Sequence, residues 1–169
     1  MRYTPVGAGG GTVGDFIDDV PEGGVVVISN NGRTDCTVWG DIMTTTAMHK
    51  GIAGTVIDGV CRDVSFALSK SYPLFTCGRF MRTGKDRVSV AEVGGTVNLS
   101  DAKVTSGDII VGNADGVVVV PQDRAEEIYE MAAAIEQIEE KIIADIENGI
   151  TLCEARKRHG YHNLQERSK

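Results

Sequence analysis

Val25-Val26-Val27-Ile28-Ser29 and Ala53-Gly54-Thr55-Val56-Ile57-Asp58 are two β-branched, largely apolar runs with one helix-length segment between them. An uninterrupted β-branched run bounded by turn residues is the mark of a strand buried on both faces. Asn30-Asn31-Gly32-Arg33 predicts a loop after the first run. A helix is predicted from Gly40 or Asp41 through Thr44, Ala47 and His49 to Lys50, with Gly51 as its stop. The second run leads through Gly59 into Arg62-Asp63. Residues 64–71 are predicted as a short helix and Leu74-Phe75-Thr76-Cys77 as a third strand. Strand, helix, strand, helix, strand at this spacing predicts right-handed crossovers on a parallel sheet. Both strand-to-helix loops then open on the carboxyl edge of the sheet, where open α/β sheets bind ligands.

Outward from this unit the pattern changes on both sides. Val6-Gly7-Ala8-Gly9-Gly10-Gly11-Thr12 is glycine-rich, but no Lys-Ser/Thr follows it, so it fails as a phosphate loop and predicts a flexible entry or tight turn. Asp15 to Val20 predicts a short helix closed by Pro21-Glu22-Gly23-Gly24. After Lys85, short strands are predicted at Val88-Ser89-Val90, at residues 95–99 and 108–112, and at Gly116 to Val120. Asp115-Gly116 marks a hairpin between the last two, which makes Asp115 a turn residue. One long helix is predicted from Pro121-Gln122-Asp123 to Asn148, ended by Gly149, with Ala125, Ile128, Ala132, Ile135, Ile138, Ile142 and Ile146 as its apolar stripe. The expected organisation is a glycine-rich segment over residues 1–24 and a single α/β domain over residues 25–169.

Composition excludes several functions. A net charge of −7 with no concentrated basic patch argues against a nucleic-acid or anionic-membrane surface. Arg156-Lys157-Arg158-His159 is expected to end a helix in solvent. No apolar run approaches the ~20 residues of a membrane span, and the N-terminal residues lack a signal-peptide stretch, so a cytoplasmic protein is expected. Cys36, Cys61, Cys77 and Cys153 form no Cys-x-x-Cys, and His49, His159 and His162 complete no zinc pattern. Reduced thiols are expected.

The chemistry-bearing residues lie at the predicted carboxyl edge. Asp41 and Arg62-Asp63 are one crossover apart, with 20 residues intervening. An arginine there can hold a carboxylate or a developing enolate through its planar fork, which a lysine cannot reproduce. Asp63 and Asp41 together can hold Mg²⁺, which accepts one or two carboxylates and keeps several waters. Asp41 also offsets the helix dipole, and the Ile42 and Met43 amides at that N-terminus suit a substrate carboxylate. Thr44, Thr45 and Thr46 are expected to be helix and packing residues, and Trp39 to pack the loop or a neighbouring subunit. His49 falls about 12 Å from Asp41 at roughly 1.5 Å per helical residue, which suits a surface position. No lysine sits at a strand end for Schiff-base chemistry.

The block from Trp39 to Asp63 resembles the RraA-like family. So do Gly51-Ile52-Ala53-Gly54-Thr55-Val56-Ile57-Asp58-Gly59, Gly107-Asp108-Ile109-Ile110, and the Asp115-Gly116 to Pro121 run. That family contains metal-dependent 4-hydroxy-4-methyl-2-oxoglutarate/4-carboxy-4-hydroxy-2-oxoadipate aldolases and regulators of ribonuclease activity. The resemblance implies a swivelling β/β/α fold with a long C-terminal helix, and a homotrimer or hexamer with sites between subunits. It implies Mg²⁺ (or Mn²⁺) on Asp63, with Asp41 reaching it through water, and Arg62 on the keto or enolate oxygen. Gly40 with the Ile42 and Met43 amides is implied to hold the pyruvyl carboxylate. A glutamate from the long helix of a neighbouring subunit is implied to reach the metal through water. Glu139 matches best, before Glu136 and Glu140. The aldolases carry the Asp-x20-Arg-Asp pattern found here, whereas the regulators are expected to have glycine at the first aspartate. A further acid–base glutamate, on an N-terminal helix and strand of the family, has no counterpart in these residues. The expected function is a metal-dependent pyruvate aldolase acting on 4-hydroxy-2-oxo acids, with oxaloacetate decarboxylation as a second activity. The alternative is a non-catalytic regulator that binds a ribonuclease or another protein.

Overall fold

The computed structural model describes residues 1–7 and 11–164. Residues 8–10 of the glycine-rich run, predicted as a flexible entry or tight turn, lie outside the described residues. The chain divides into two compact units, Met1–Pro121 and Gln122–Lys169.

The first unit is built on a five-stranded sheet of order β4-β3-β2-β1-β5. Its strands are β1 (Arg2–Pro5), β2 (Val25–Thr37), β3 (Gly54–Cys61), β4 (Leu74–Arg79) and β5 (Val88–Glu92). β2, β3 and β4 are parallel neighbours joined by α1 (Asp41–His49) and α2 (Val64–Ser69), as the strand–helix alternation predicts. β1 runs parallel to β2 and antiparallel to β5, so the sheet is mixed. Residues ahead of Val25, treated in the sequence as a glycine-rich segment, thus supply a strand of this sheet and a 3-10 turn at Asp15–Asp19.

Val26, Ile28 and Ile57 from the sheet pack with Phe16 and Ile17 from the 3-10 turn, Ala47 of α1 and Tyr72 beyond α2 to form the core. α1 ends as predicted, with Gly51 in a left-handed conformation (φ +68°).

β2 continues well past Ser29, through residues predicted as a loop. Its pairing with β3 shows why. Ser29 faces Asp58, Arg33 faces Gly59 and Thr37 faces Val60, so β2 spends eight residues while β3 advances two. The polar Asn31 and Gly32 turn outward in left-handed conformations (φ 53° and 64°) before the strand resumes. Loop chemistry and strand pairing coexist in this one excursion.

Two antiparallel pairs complete the unit: β6 (Val97–Leu99) with β7 (Ala102–Val104), and β8 (Ile109–Asn113) with β9 (Gly116–Val120). The Asp115-Gly116 hairpin is present, with Asn113 and Gly116 paired and Ala114 and Asp115 at its tip.

In the second unit, a 3-10 turn at Gln122–Arg124 leads into α3 (Ala125–Glu147), and Gly149 (φ +85°) ends it. α4 (Leu152–Arg158) starts on a Thr151 cap whose hydroxyl accepts from the Glu154 N–H at 3.3 Å. Asp145 of α3 holds α4 by accepting from Arg158 Nη1 (2.9 Å) and contacting His159 Nε2 (3.0 Å). The basic run is therefore partly engaged on α3 rather than wholly solvated. Among the described residues, no helix is long and apolar enough to cross a membrane.

All four cysteines are free. Cys36 and Cys61 are buried, Cys77 and Cys153 exposed. Burial pushes the Cys36 and Cys61 thiols above the ordinary range, so they carry even less of the reactive thiolate near neutral pH. Maleimide labelling followed by mass spectrometry is expected to modify Cys77 and Cys153 in the native protein. Cys36 and Cys61 should label only after denaturation.

Candidate active site at the carboxyl edge

Gly40 is the point where the two loops meet. Trp39 O accepts the Arg62 N–H at 3.1 Å, tying the chain after β2 to the residue that follows β3. A Cβ on Gly40 would lie 2.7 Å from Asp63 Oδ2 and 2.9 Å from Arg62 Nε. The carboxylate and the guanidinium therefore occupy the space that any side chain at position 40 would need. The backbone at Gly40 is extended (φ −156°), so close approach alone sets the requirement for glycine.

Asp63 reaches this position through a left-handed backbone (φ 57°, ψ 35°) at the start of α2. Aspartate is among the few non-glycine residues that enter this region readily. Its Oδ2 accepts the Asp41 N–H at 3.1 Å and lies 3.3 Å from Arg62 Nε. Both side chains are 38% exposed, so the ion pair itself adds at most about 1 kcal/mol to stability. Its consequence is geometric. One carboxylate oxygen fixes the guanidinium and the first turn of α1 together.

Asp41, the first residue of α1, is exposed, and its Oδ1 accepts the Ile42 N–H at 2.8 Å. First-turn amides have no intrahelical acceptor and favour an anion. The Ile42 amide, expected from sequence to receive a substrate carboxylate, is therefore already engaged by the Asp41 carboxylate. A carboxylate bound at that amide would have to replace Asp41. The Ile42 side chain points to solvent, whereas Met43 is partly buried against the core.

A buried support lies beneath the turn. Trp39 is buried and stacks on Tyr72, with ring centroids 6.3 Å apart and planes within 6°. Its indole N–H donates to Thr44 Oγ1 (3.0 Å), and that hydroxyl donates to Gly40 O (3.0 Å). Tyr72 OH in turn contacts Thr55 Oγ1 at 2.9 Å. Sequence reasoning treated Thr44 as a packing residue and did not single out Tyr72. A threonine four residues after the glycine, on the inner face of the helix, was the available signal.

The structure thus brings Gly40, Asp41, Ile42, Met43, Arg62 and Asp63 to one edge. Glu139, Glu136 and Glu140 are exposed on α3, in the second unit. His49 is exposed at the end of α1, and the Asp115 N–H is bonded to Asn113 Oδ1 in its turn. Among the described residues, no group of three or more His, Cys, Asp or Glu converges on a metal-sized space. Asp63 and Asp41 supply two hard carboxylate donors, which fits Mg²⁺ with water completing its shell, and does not fit a thiolate- or imidazole-bound metal.

A family model described as Aldolase/RraA (RraA-like) matches residues 6–119. The chain belongs to this family. It is 42% identical over 147 residues to protein DlpA of Legionella pneumophila, a match that covers 87% of this chain and 24% of DlpA. It is 32% identical over 128 residues to a Halalkalibacterium halodurans protein provisionally named 4-hydroxy-4-methyl-2-oxoglutarate aldolase, covering 73% of this chain and 60% of that protein. The fold matches the crystal structure of an uncharacterised protein from Pseudomonas syringae pv. tomato with a TM-score of 0.84 at 46% identity. That match covers 92% of this chain and 74% of the other. The chain spans about a quarter of DlpA and three fifths of the Halalkalibacterium protein.

Replacing Thr44 by valine keeps the shape but leaves the buried Trp39 N–H without its acceptor. A loss of about 1–3 kcal/mol is expected from urea unfolding. Emission from Trp39, the sole tryptophan, reports the disturbance at the site.

Proposed function

We propose that this family member is a divalent-metal-dependent lyase that cleaves 4-hydroxy-2-oxo acids to pyruvate and a carbonyl product, and that it also decarboxylates oxaloacetate. The supporting observation is the packing of Asp63 and Arg62 into the space over Gly40, which sets a carboxylate, a guanidinium and a helix N-terminus side by side. Asp63 would hold Mg²⁺ or Mn²⁺ directly and Asp41 through water. A glutamate from a neighbouring subunit, Glu139 by the family resemblance, would complete the shell in a homotrimer or hexamer. When bound, the ion supplies Lewis-acid polarisation of the substrate's 2-oxo group.

The remaining demands are assigned to residues present here. Cleavage of the C3–C4 bond leaves an electron pair on C3, which delocalises into the 2-oxo group as an enolate. Arg62, held by Asp63 and by its backbone bond to Trp39, is positioned to stabilise that developing negative charge with fixed N–H donors. The N-terminus of α1, with Gly40 and the Ile42 and Met43 amides, receives the substrate's 1-carboxylate once Asp41 releases the Ile42 N–H. The freed Asp41 carboxylate then orients the water that takes the proton from the C4 hydroxyl in the retro-aldol reaction. Oxaloacetate loses CO₂ to reach the same enolate and needs no hydroxyl base; in both reactions a proton from water, added at C3, then gives pyruvate.

The test is pyruvate release from oxaloacetate and from 4-hydroxy-2-oxo acids, with Mg²⁺ or with EDTA. Turnover is expected only with the metal. Arg62→Ala and Asp63→Ala should each lower kcat/KM by ~100-fold or more. Metal-independent turnover, or full activity in either variant, would overturn the assignment. No turnover together with tight binding of a ribonuclease would favour the regulator reading.

Gly40→Ala forces a methyl group into the carboxylate–guanidinium contact. A fall in kcat of ~100-fold is expected with little change in unfolding temperature, because the displaced groups are partly exposed.

A further inference from the structure

We infer that Asn30 is a positioning residue that closes the excursion of β2 and thereby sets Gly40 against Arg62 and Asp63. The inference rests on the proposed reaction for its kinetic readout only. Asn30 is a polar side chain at 1% exposure, at the point where β2 leaves regular pairing with β3. The strand departs after Ser29, turns through Asn31 and Gly32, touches β3 at Arg33 opposite Gly59, and pairs again at Thr37 opposite Val60. The Asn30 Nδ2 faces Cys36 O at 3.5 Å, a long contact from the first residue of the excursion to its last stretch. Since a carbonyl accepts only a donor, this contact also assigns the amide orientation.

The other side of Asn30 lies on β3. A Cβ on Gly59 would sit 3.2 Å from Asn30 Cβ and 3.4 Å from its Nδ2. Gly59 itself has φ +155°, a conformation that side chains rarely adopt. One side chain therefore reaches the last stretch of the excursion on β2 and fills the space that a side chain at Gly59 on β3 would need. Cys36 lies four residues before Gly40, and Gly59 lies three before Arg62. A second bond supports the same excursion from outside, where the Gly32 N–H donates to Asp58 Oδ2 at 3.0 Å.

The amide does this at a cost. Asn30 Oδ1 is buried and has no hydrogen-bond partner among the described residues. A buried acceptor without a donor opposes folding, so stability alone does not account for an asparagine here. A polar group held at such a cost beside an active-site loop fits a positional requirement.

The test compares the full chain with Asn30→Leu, which keeps the size of the side chain and removes the donor, and Asn30→Ser, which is too short to reach Cys36 O. Three measurements are made on each: thermal unfolding, the ¹H–¹⁵N signals of the Trp39 indole and Arg62 Nε, and oxaloacetate decarboxylation with Mg²⁺. Both variants are expected to stay folded, to shift the Trp39 and Arg62 signals, and to lose at least ~10-fold in kcat with a smaller change in KM. If Asn30→Leu does not fold, Asn30→Ser alone decides. Unmoved signals with unchanged kcat in a folded variant overturn the inference. The signals need no turnover, so an inactive wild-type protein would refute the proposed reaction while shifted signals still upheld the positioning role.

Discussion

Asp63 Oδ2 accepts the first amide of α1 while lying over a residue that has no side chain, and the organisation of the carboxyl edge depends on that contact. Three conditions make it possible. Position 40 must be glycine, because its Cβ direction is already occupied. Asp63 must adopt a left-handed backbone to turn its carboxylate back over the β2 loop. β3 must deliver Arg62 beside Trp39, which the backbone bond between them achieves. None of these is a strong interaction alone. A half-exposed ion pair is worth little, and the amide bond to Asp63 is one among many. Their value is that they share atoms, so displacing one displaces the others.

The central crossover was legible because it follows from simple patterning. Val25-Val26-Val27-Ile28 and Thr55-Val56-Ile57 are apolar enough to demand burial on both faces, and Gly51 marks the helix stop by a known backbone requirement. The long helix was legible for the same reason, since a stripe at three- and four-residue steps over more than 20 positions has no other reading. β1 was not legible. Arg2-Tyr3-Thr4-Pro5 has no apolar run, and only Tyr3 is buried, so its strand character comes from pairing with β5 rather than from its own composition. The three-residue β7 was missed for a similar reason, and the second half of β2 was hidden behind Asn31-Gly32.

The site divides along the same line. The carboxylates and the arginine were legible because their residue types and the length of the crossover suit the carboxyl edge. Their support was not. Thr44 bridges an indole N–H and a backbone carbonyl, Tyr72 stacks under Trp39, and Asn30 spans an excursion, and each depends on side-chain geometry that residue spacing does not specify. Sequence spacing names the candidate ligand-facing groups at a sheet edge more readily than the groups that hold them.

Asp41 shows how far one residue type can carry a functional distinction. Any first-turn carboxylate offsets a helix dipole, and Asp41 does so through the Ile42 amide. A glycine at this position would leave that amide open to an anion but would offer nothing to orient water or to reach a metal. Under the proposed reaction, an aspartate would make the helix N-terminus a site with two states. In one the protein's own carboxylate covers the amide. In the other, under the proposed reaction, a substrate carboxylate takes the amide and frees Asp41 beside the scissile bond. Substrate binding and the preparation of the proton acceptor then become one exchange at a single N–H group. That exchange would give Asp41 a role that neither capping nor metal binding requires alone.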